Sequence, residues 1–164
     1  MGVIEDAQSK AATNAAADAA AVVAGSTAEA NTEKVSVETV AATNVLTKTE
    51  SGKTLFLSHA TEFVTTLPAP AAGLEYEFIV ADAPESASYT IVTNGGANII
   101  HGIAVSAADA GGSVDTTAGT PADTITFVDG QAAIGDRIRV VSDGTYWYAQ
   151  GLCNDEDAIT FTQT

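Results

Sequence analysis

Between residues 135 and 151 the sequence GDRIRVVSDGTYWYAQG constrains strand, turn, register and facing together. Two runs of β-branched and aromatic residues flank Asp143 and Gly144, a dipeptide suited to a type I′ turn, whose two central residues both need φ > 0. A two-residue loop would set Ser142 opposite Thr145, Val141 opposite Tyr146, Val140 opposite Trp147, Arg139 opposite Tyr148 and Ile138 opposite Ala149. Alternation then sorts the side chains onto two faces. Ile138, Val140, Trp147 and Ala149 make a dry face. Arg137, Arg139, Val141, Tyr146 and Tyr148 make the other, where a tyrosine ring can cover a guanidinium while its hydroxyl stays wet. The segment reads as scaffold rather than catalyst.

The same period-two pattern recurs along the chain. Residues 54–58 (TLFLS) and 63–67 (FVTTL) read as short strands. Residues 68–73 (PAPAAG) form a rigid loop, because proline offers no backbone donor. Residues 74–81 (LEYEFIVA) place Leu74, Tyr76, Phe78 and Val80 on one face, with Glu75, Glu77 and Ile79 on the other. Residues 89–93 (YTIVT), the Asn94-Gly95-Gly96 loop and residues 98–105 (NIIHGIAV) read as a second hairpin. Residues 106–122 are small, acidic and turn-rich, and read as one long loop. Strands at 124–128 and 158–162 complete the set. The expected fold is all-β, a compact antiparallel β-sandwich or β-barrel over residues 35–164. Residues 1–34 differ: they are dominated by alanine, lack aromatics, and read as an N-terminal arm, extended or partly helical.

Charge narrows the partners. Among 164 residues, 21 Asp and Glu face 6 Lys and Arg, a formal net charge of −15. Past Lys53 the only lysine or arginine side chains are Arg137 and Arg139, so a phosphate backbone would be repelled and nucleic-acid binding is not expected. No 18-residue apolar run exists and the first residues, MGVIEDAQSK, carry acids where a signal peptide carries bases, so neither membrane spanning nor that route of secretion is expected. The lone Cys153 excludes an internal disulfide and reads as a small, partly buried residue.

Catalytic, cofactor-binding and metal-ligating residues are each expected to be none. The chain lacks a nucleophile elbow, a zinc-protease helix, a P-loop and a paired C-x-x-C. Glu75 and Glu77 invite an acid/base or metal reading, yet no histidine or third acid sits at a telling spacing, and they read as a solvated strand face. His59 and His101 show no mutual spacing signal. The run Asn154-Asp155-Glu156-Asp157 lacks the spaced ladder of a calcium loop and reads as a solvated turn.

Three segments carry a resemblance: TLPAPAAGLEYEFIV at 66–80, YTIVTNGGANIIHG at 89–102 and IGDRIRVVSDGTYWYAQG at 134–151. Over residues 46–151 the chain resembles tailed-bacteriophage virion proteins, especially capsid decoration, or cement, proteins; similar segments also occur in phage fibre and tail-associated modules. The resemblance implies a compact β domain, commonly a homotrimer, on the outer surface of the capsid, where it contacts the major capsid protein and braces the shell. It implies no catalytic residue, and the arm lies outside it. Two other classes stay open: a tail-fibre or receptor-binding module in which Tyr146, Tyr148 or Trp147 meets a host glycan, and a polysaccharide-cleaving enzyme, which would need a carboxylate pair in a cleft.

Overall fold

A computed structural model describes residues 35–59, 61–107 and 114–163. The chain divides into two units, Met1–Val35 and Ser36–Thr164, and the described strands all belong to the second. The expectation of an extended or partly helical arm at 1–34 falls outside the described residues.

Twelve strands are described: β1 (Val37–Val40), β2 (Asn44–Val45), β3 (Thr54–Leu57), β4 (Phe63–Thr66), β5 (Glu75–Val80), β6 (Tyr89–Val92), β7 (Ile100–Ser106), β8 (Val114–Thr116), β9 (Thr124–Phe127), β10 (Arg137–Ser142), β11 (Trp147–Cys153) and β12 (Ile159–Thr162). They form a seven-stranded sheet in the order β1-β3-β5-β10-β11-β7-β8 and a five-stranded sheet in the order β12-β9-β6-β4-β2. The two sheets pack face to face as an all-β sandwich. Leu55, Leu57, Tyr76, Phe78, Val80, Ile138, Val140 and Trp147 from the larger sheet, with Phe63, Tyr89, Ile91, Ile125, Phe127 and Ile159 from the smaller, fill the space between them.

The sandwich is not antiparallel throughout. From β1 to β6 the chain alternates between the sheets at every strand, so successive strands of one sheet lie parallel: β1, β3 and β5 in the larger, β2, β4 and β6 in the smaller. Val37 pairs with Thr54, and Thr54 with Glu77, steps of seventeen and twenty-three residues. Each step is long enough for the crossover that parallel neighbours need, and each passes through the opposite sheet. The unequal steps leave no repeat for the eye to find.

The second expected hairpin is also corrected. β6 belongs to the smaller sheet and β7 to the larger, so residues 93–99 carry the chain across the core instead of turning it back. Gly95 and Gly96 do take positive φ, 75° and 67°. Thr93 caps the crossing, its hydroxyl donating to the Ala97 carbonyl at 2.8 Å. The long loop expected at 106–122 is interrupted by β8, an edge strand antiparallel to β7; Asp109, Gly111 and Gly112 lie outside the described residues.

The hairpin β10–β11 stands, at the centre of the larger sheet, with its register moved by two residues. Ser142 pairs with Trp147, Val141 with Tyr148 and Val140 with Ala149. The connecting loop therefore has four residues, and Asp143 does not take positive φ, as a type I′ turn would require; Gly144 alone does, at 104°. The carboxylate of Asp143 supports this wider loop, accepting the amides of Thr145 at 2.7 Å and Tyr146 at 2.8 Å, alongside the backbone bond that the Asp143 amide donates to the Tyr146 carbonyl at 3.3 Å. A shift of two preserves facing, whereas a shift of one would have inverted it. Ile138, Val140, Trp147 and Ala149 are accordingly buried.

Candidate functional site

The strand periodicity leaves each sheet with an outer face, and the two faces differ. On the smaller sheet the outward positions of β4, β6, β9 and β12 are Val64, Thr66, Thr90, Val92, Thr124, Thr126, Thr160 and Thr162, an uncharged lawn of hydroxyls and methyls. On the larger sheet they include Glu75, Glu77, Arg137, Arg139, Tyr148, Gln150, Leu152, His101, Ile103, Val105 and Val114.

Pairing puts Leu152 beside Val105, and Val105 beside Val114, in one row across β11, β7 and β8. These three are 53%, 40% and 54% exposed, and Ile103, two positions along β7, is 41% exposed. Single exposed aliphatics need no explanation, but four contiguous ones on a sheet face form an exposed apolar patch. Next to them is a hollow of about 450 Å³ lined by Ile103, Val105, Leu152, Gln150, Glu77 and the two arginines.

Two acids and two bases balance on this face. Arg139 pairs with Glu75, and Glu77 accepts the Thr54 hydroxyl at 3.3 Å. Arg137 makes no ion pair among the described residues. The sequence suggests tyrosine rings over the guanidiniums; among the described residues Tyr148 instead stacks on His101 at 5.9 Å, and Tyr146, in the loop, meets the same imidazole edge-on at 5.0 Å. Tyr148 donates to the Asp143 carboxylate, which raises its phenol pKa.

Charge elsewhere is divided between the two ends of the sandwich. Loops at the end where β5 begins and β10 finishes carry Lys48, Glu50, Lys53, Asp123 and Asp143. There Thr47 and Glu50 form a capping box, and the carboxyl of Glu50 is pulled down to about 2, first by the Thr47 hydroxyl, then by the Thr47 amide and Lys53. The loops at the opposite end carry eight described acids, Glu62, Asp82, Glu85, Asp129, Asp136, Asp155, Glu156 and Asp157, and no described lysine or arginine, the nearest being Arg137 at the start of β10. Asp136 is structural: it is buried and accepts the amides of Ala133 and Asn154, both at 2.8 Å.

The residues weighed for chemistry are not brought together. Glu75 is paired with Arg139, and Glu77, which lines the hollow, accepts a threonine hydroxyl. The ring of His59 is held by Thr61 in the loop before β4, whereas His101 lies on the outer face of β7. Cys153 is buried, and burial, with Asp136, Asp155 and Asp115 nearby, pushes its thiol pKa up, the reverse of an activated nucleophile. No group of three or more His, Cys, Asp or Glu able to hold a metal occurs among the described residues, the acids at 155–157 included. No described helix is long and apolar enough to cross a membrane.

Sequence reasoning missed the aliphatic row, because Val114 falls inside the expected loop and only the parallel pairing of β7 with β11 sets Val105 beside Leu152. It also passed over Thr47-x-x-Glu50, a legible capping signature. No protein-family model matches the chain, and neither does any curated protein or solved structure.

Proposed function

We propose that the protein is a non-enzymatic structural component of a tailed-phage virion, a decoration protein that binds the outer surface of the capsid shell as a homotrimer and contacts the major capsid protein. The observation that supports this is a charge-balanced face with exposed aliphatics on a chain of net charge −15. An acidic protein that must associate, first with its own copies and through them with a shell, needs a surface where its own charge does not oppose contact, and the balanced face of the larger sheet supports the self-associating part of this reading. The mechanism is adhesion by area. A ligand of the assembled shell stabilises that shell by mass action, and three linked copies convert the second and third contacts into nearly intramolecular events. Neither nucleic acid nor membrane is needed by this reading.

A second reading draws on a separate observation, the exposed Tyr146 and Tyr148 packed on the half-buried His101. Aromatic rings beside a carboxylate, here Asp143, suit a sugar, so a fibre or receptor-binding module contacting a host surface glycan is the alternative.

Copy number in purified virions separates the two. The decoration reading expects the protein in proportion to capsomers, removable from the shell and able to rebind stripped shells; a handful of copies that leave with the tail would refute it.

A further inference from the structure

The larger sheet's outer face grades from apolar to charged along one direction. β8 and β7 contribute Val114, Val105 and Ile103, β11 contributes Gln150 and Leu152, and only then do Arg137 and Arg139 on β10 and Glu77 on β5 follow. β8 is the edge of the sheet and three residues long, so its outer backbone groups have no neighbouring strand in this sheet.

Like-charged bodies can associate only through a surface where charge cancels. Residues 35–164 hold sixteen acids and four bases, a balance of −12, and the acidic end concentrates most of it. The larger sheet's face has two charges of each sign. The smaller sheet's face carries no charge on its outward strand positions, but Val45 is its one large aliphatic exposed by more than a third among the described residues, and its threonines lose less by staying wet.

We propose that copies of this chain meet through the β11-β7-β8 end of this face, around a three-fold axis. The proposal rests on the trimeric part of the reading above and names its surface. Close to such an axis each residue meets its own copies, so any charge there would face its like. Leu152, Val105 and Val114, uncharged and in one row, suit that position. Farther out, a residue meets a different residue of the neighbour. Arg137, without an ion pair of its own among the described residues, and Glu77, bonded only to a threonine, can there find opposite charges on another copy. The hollow beside them takes a neighbour's side chain. The result has the ordinary anatomy of an interface, an apolar centre and a polar rim.

The test is sedimentation of the full chain at micromolar concentration, alone and with stripped shells. Wild type should sediment as a trimer, and Val105→Asp combined with Leu152→Asp as a monomer whose near-ultraviolet circular dichroism from Trp147 is unchanged. If that variant fails to fold, Val105→Ser with Leu152→Ser should fold and weaken trimerisation by about tenfold or more. Thr160→Asp, on the other sheet, should remain trimeric. A trimeric wild type whose two sheet-face variants also stay trimeric would overturn this surface alone, including the case in which they lose only shell binding. A monomeric wild type would overturn both the surface and the trimer. Trimers that dissociate in the variants but never bind shells would leave this inference standing and remove the decoration reading.

Discussion

Two stretches of this protein look alike in sequence and fold differently. Residues 137–153 and residues 89–106 each read as strand, glycine-containing loop, strand. The first is a hairpin at the centre of the larger sheet; the second is a crossing from one sheet to the other. In the first, Trp147 and Val140 share one dry face across a loop whose own carboxylate holds it closed. In the second, the glycines bend the chain over the rim of the core, and the return strand finds β11, not β6. A glycine loop therefore reports that the chain changes direction, while the partner of the emerging strand is settled by what else offers an apolar face.

The largest expected effect lies in the hairpin. Trp147 is fully buried, with the Tyr76 ring at 5.9 Å, and Trp147→Ala should destabilise the domain by about 3–5 kcal/mol in denaturant melts. Its Nε1 has no hydrogen-bond partner among the described residues. Trp147→Phe should therefore cost clearly less than alanine, since it keeps a ring and removes an orphan donor. Equal losses for the two would show that the indole's area is not what the hairpin contributes.

The crossing has its own weak point. Gly102 on β7 faces inward, where a Cβ would overlap the ring of Phe161 on β12. Gly102→Val should cost about 1–3 kcal/mol by overpacking, and Phe161→Ala in the same chain should return part of that loss. Without such rescue, β7 would not be seated against the Phe161 ring of β12.

The smallest effect is electrostatic and sits in the hairpin loop. The amides of Tyr146 and Thr145 hold the Asp143 carboxyl below its ordinary value, with the Tyr148 hydroxyl adding to them. A depressed carboxyl contributes its stabilisation in full above its unfolded pKa and loses it as pH falls through the folded one. The Thr145 and Tyr146 amides should accordingly exchange faster with solvent, relative to their intrinsic rates, as pH drops through that acid window, while the amide of Thr93 in the crossing should not follow the same titration. Identical profiles for both would dissolve the distinction between a loop closed by its own carboxylate and one closed by the core.

Much of the molecule is legible from local chemistry. The inward residues of β5 and of the hairpin follow from alternation alone, and the facing of Trp147 survives even though the register expected from the turn is two residues off. The charge excess and the scarcity of Arg and Lys also need no coordinates. The candidate face is legible only in part: alternation puts Arg137, Arg139 and Tyr148 on an outer surface, but it does not supply their neighbours.

What the sequence by itself determined is most of the longer strands, β8 excepted, and which way each of those faces, because a period of two is a local property of the extended chain. What only the tertiary structure decided is adjacency: the parallel winding of β1 to β6, the insertion of the β10–β11 hairpin between β5 and β7, and the row Leu152-Val105-Val114 that results. Period two records the side on which a residue lies and carries no mark of the strand beside it. Parallel neighbours, separated here by crossovers through the opposite sheet, are chosen by burying the whole core at once.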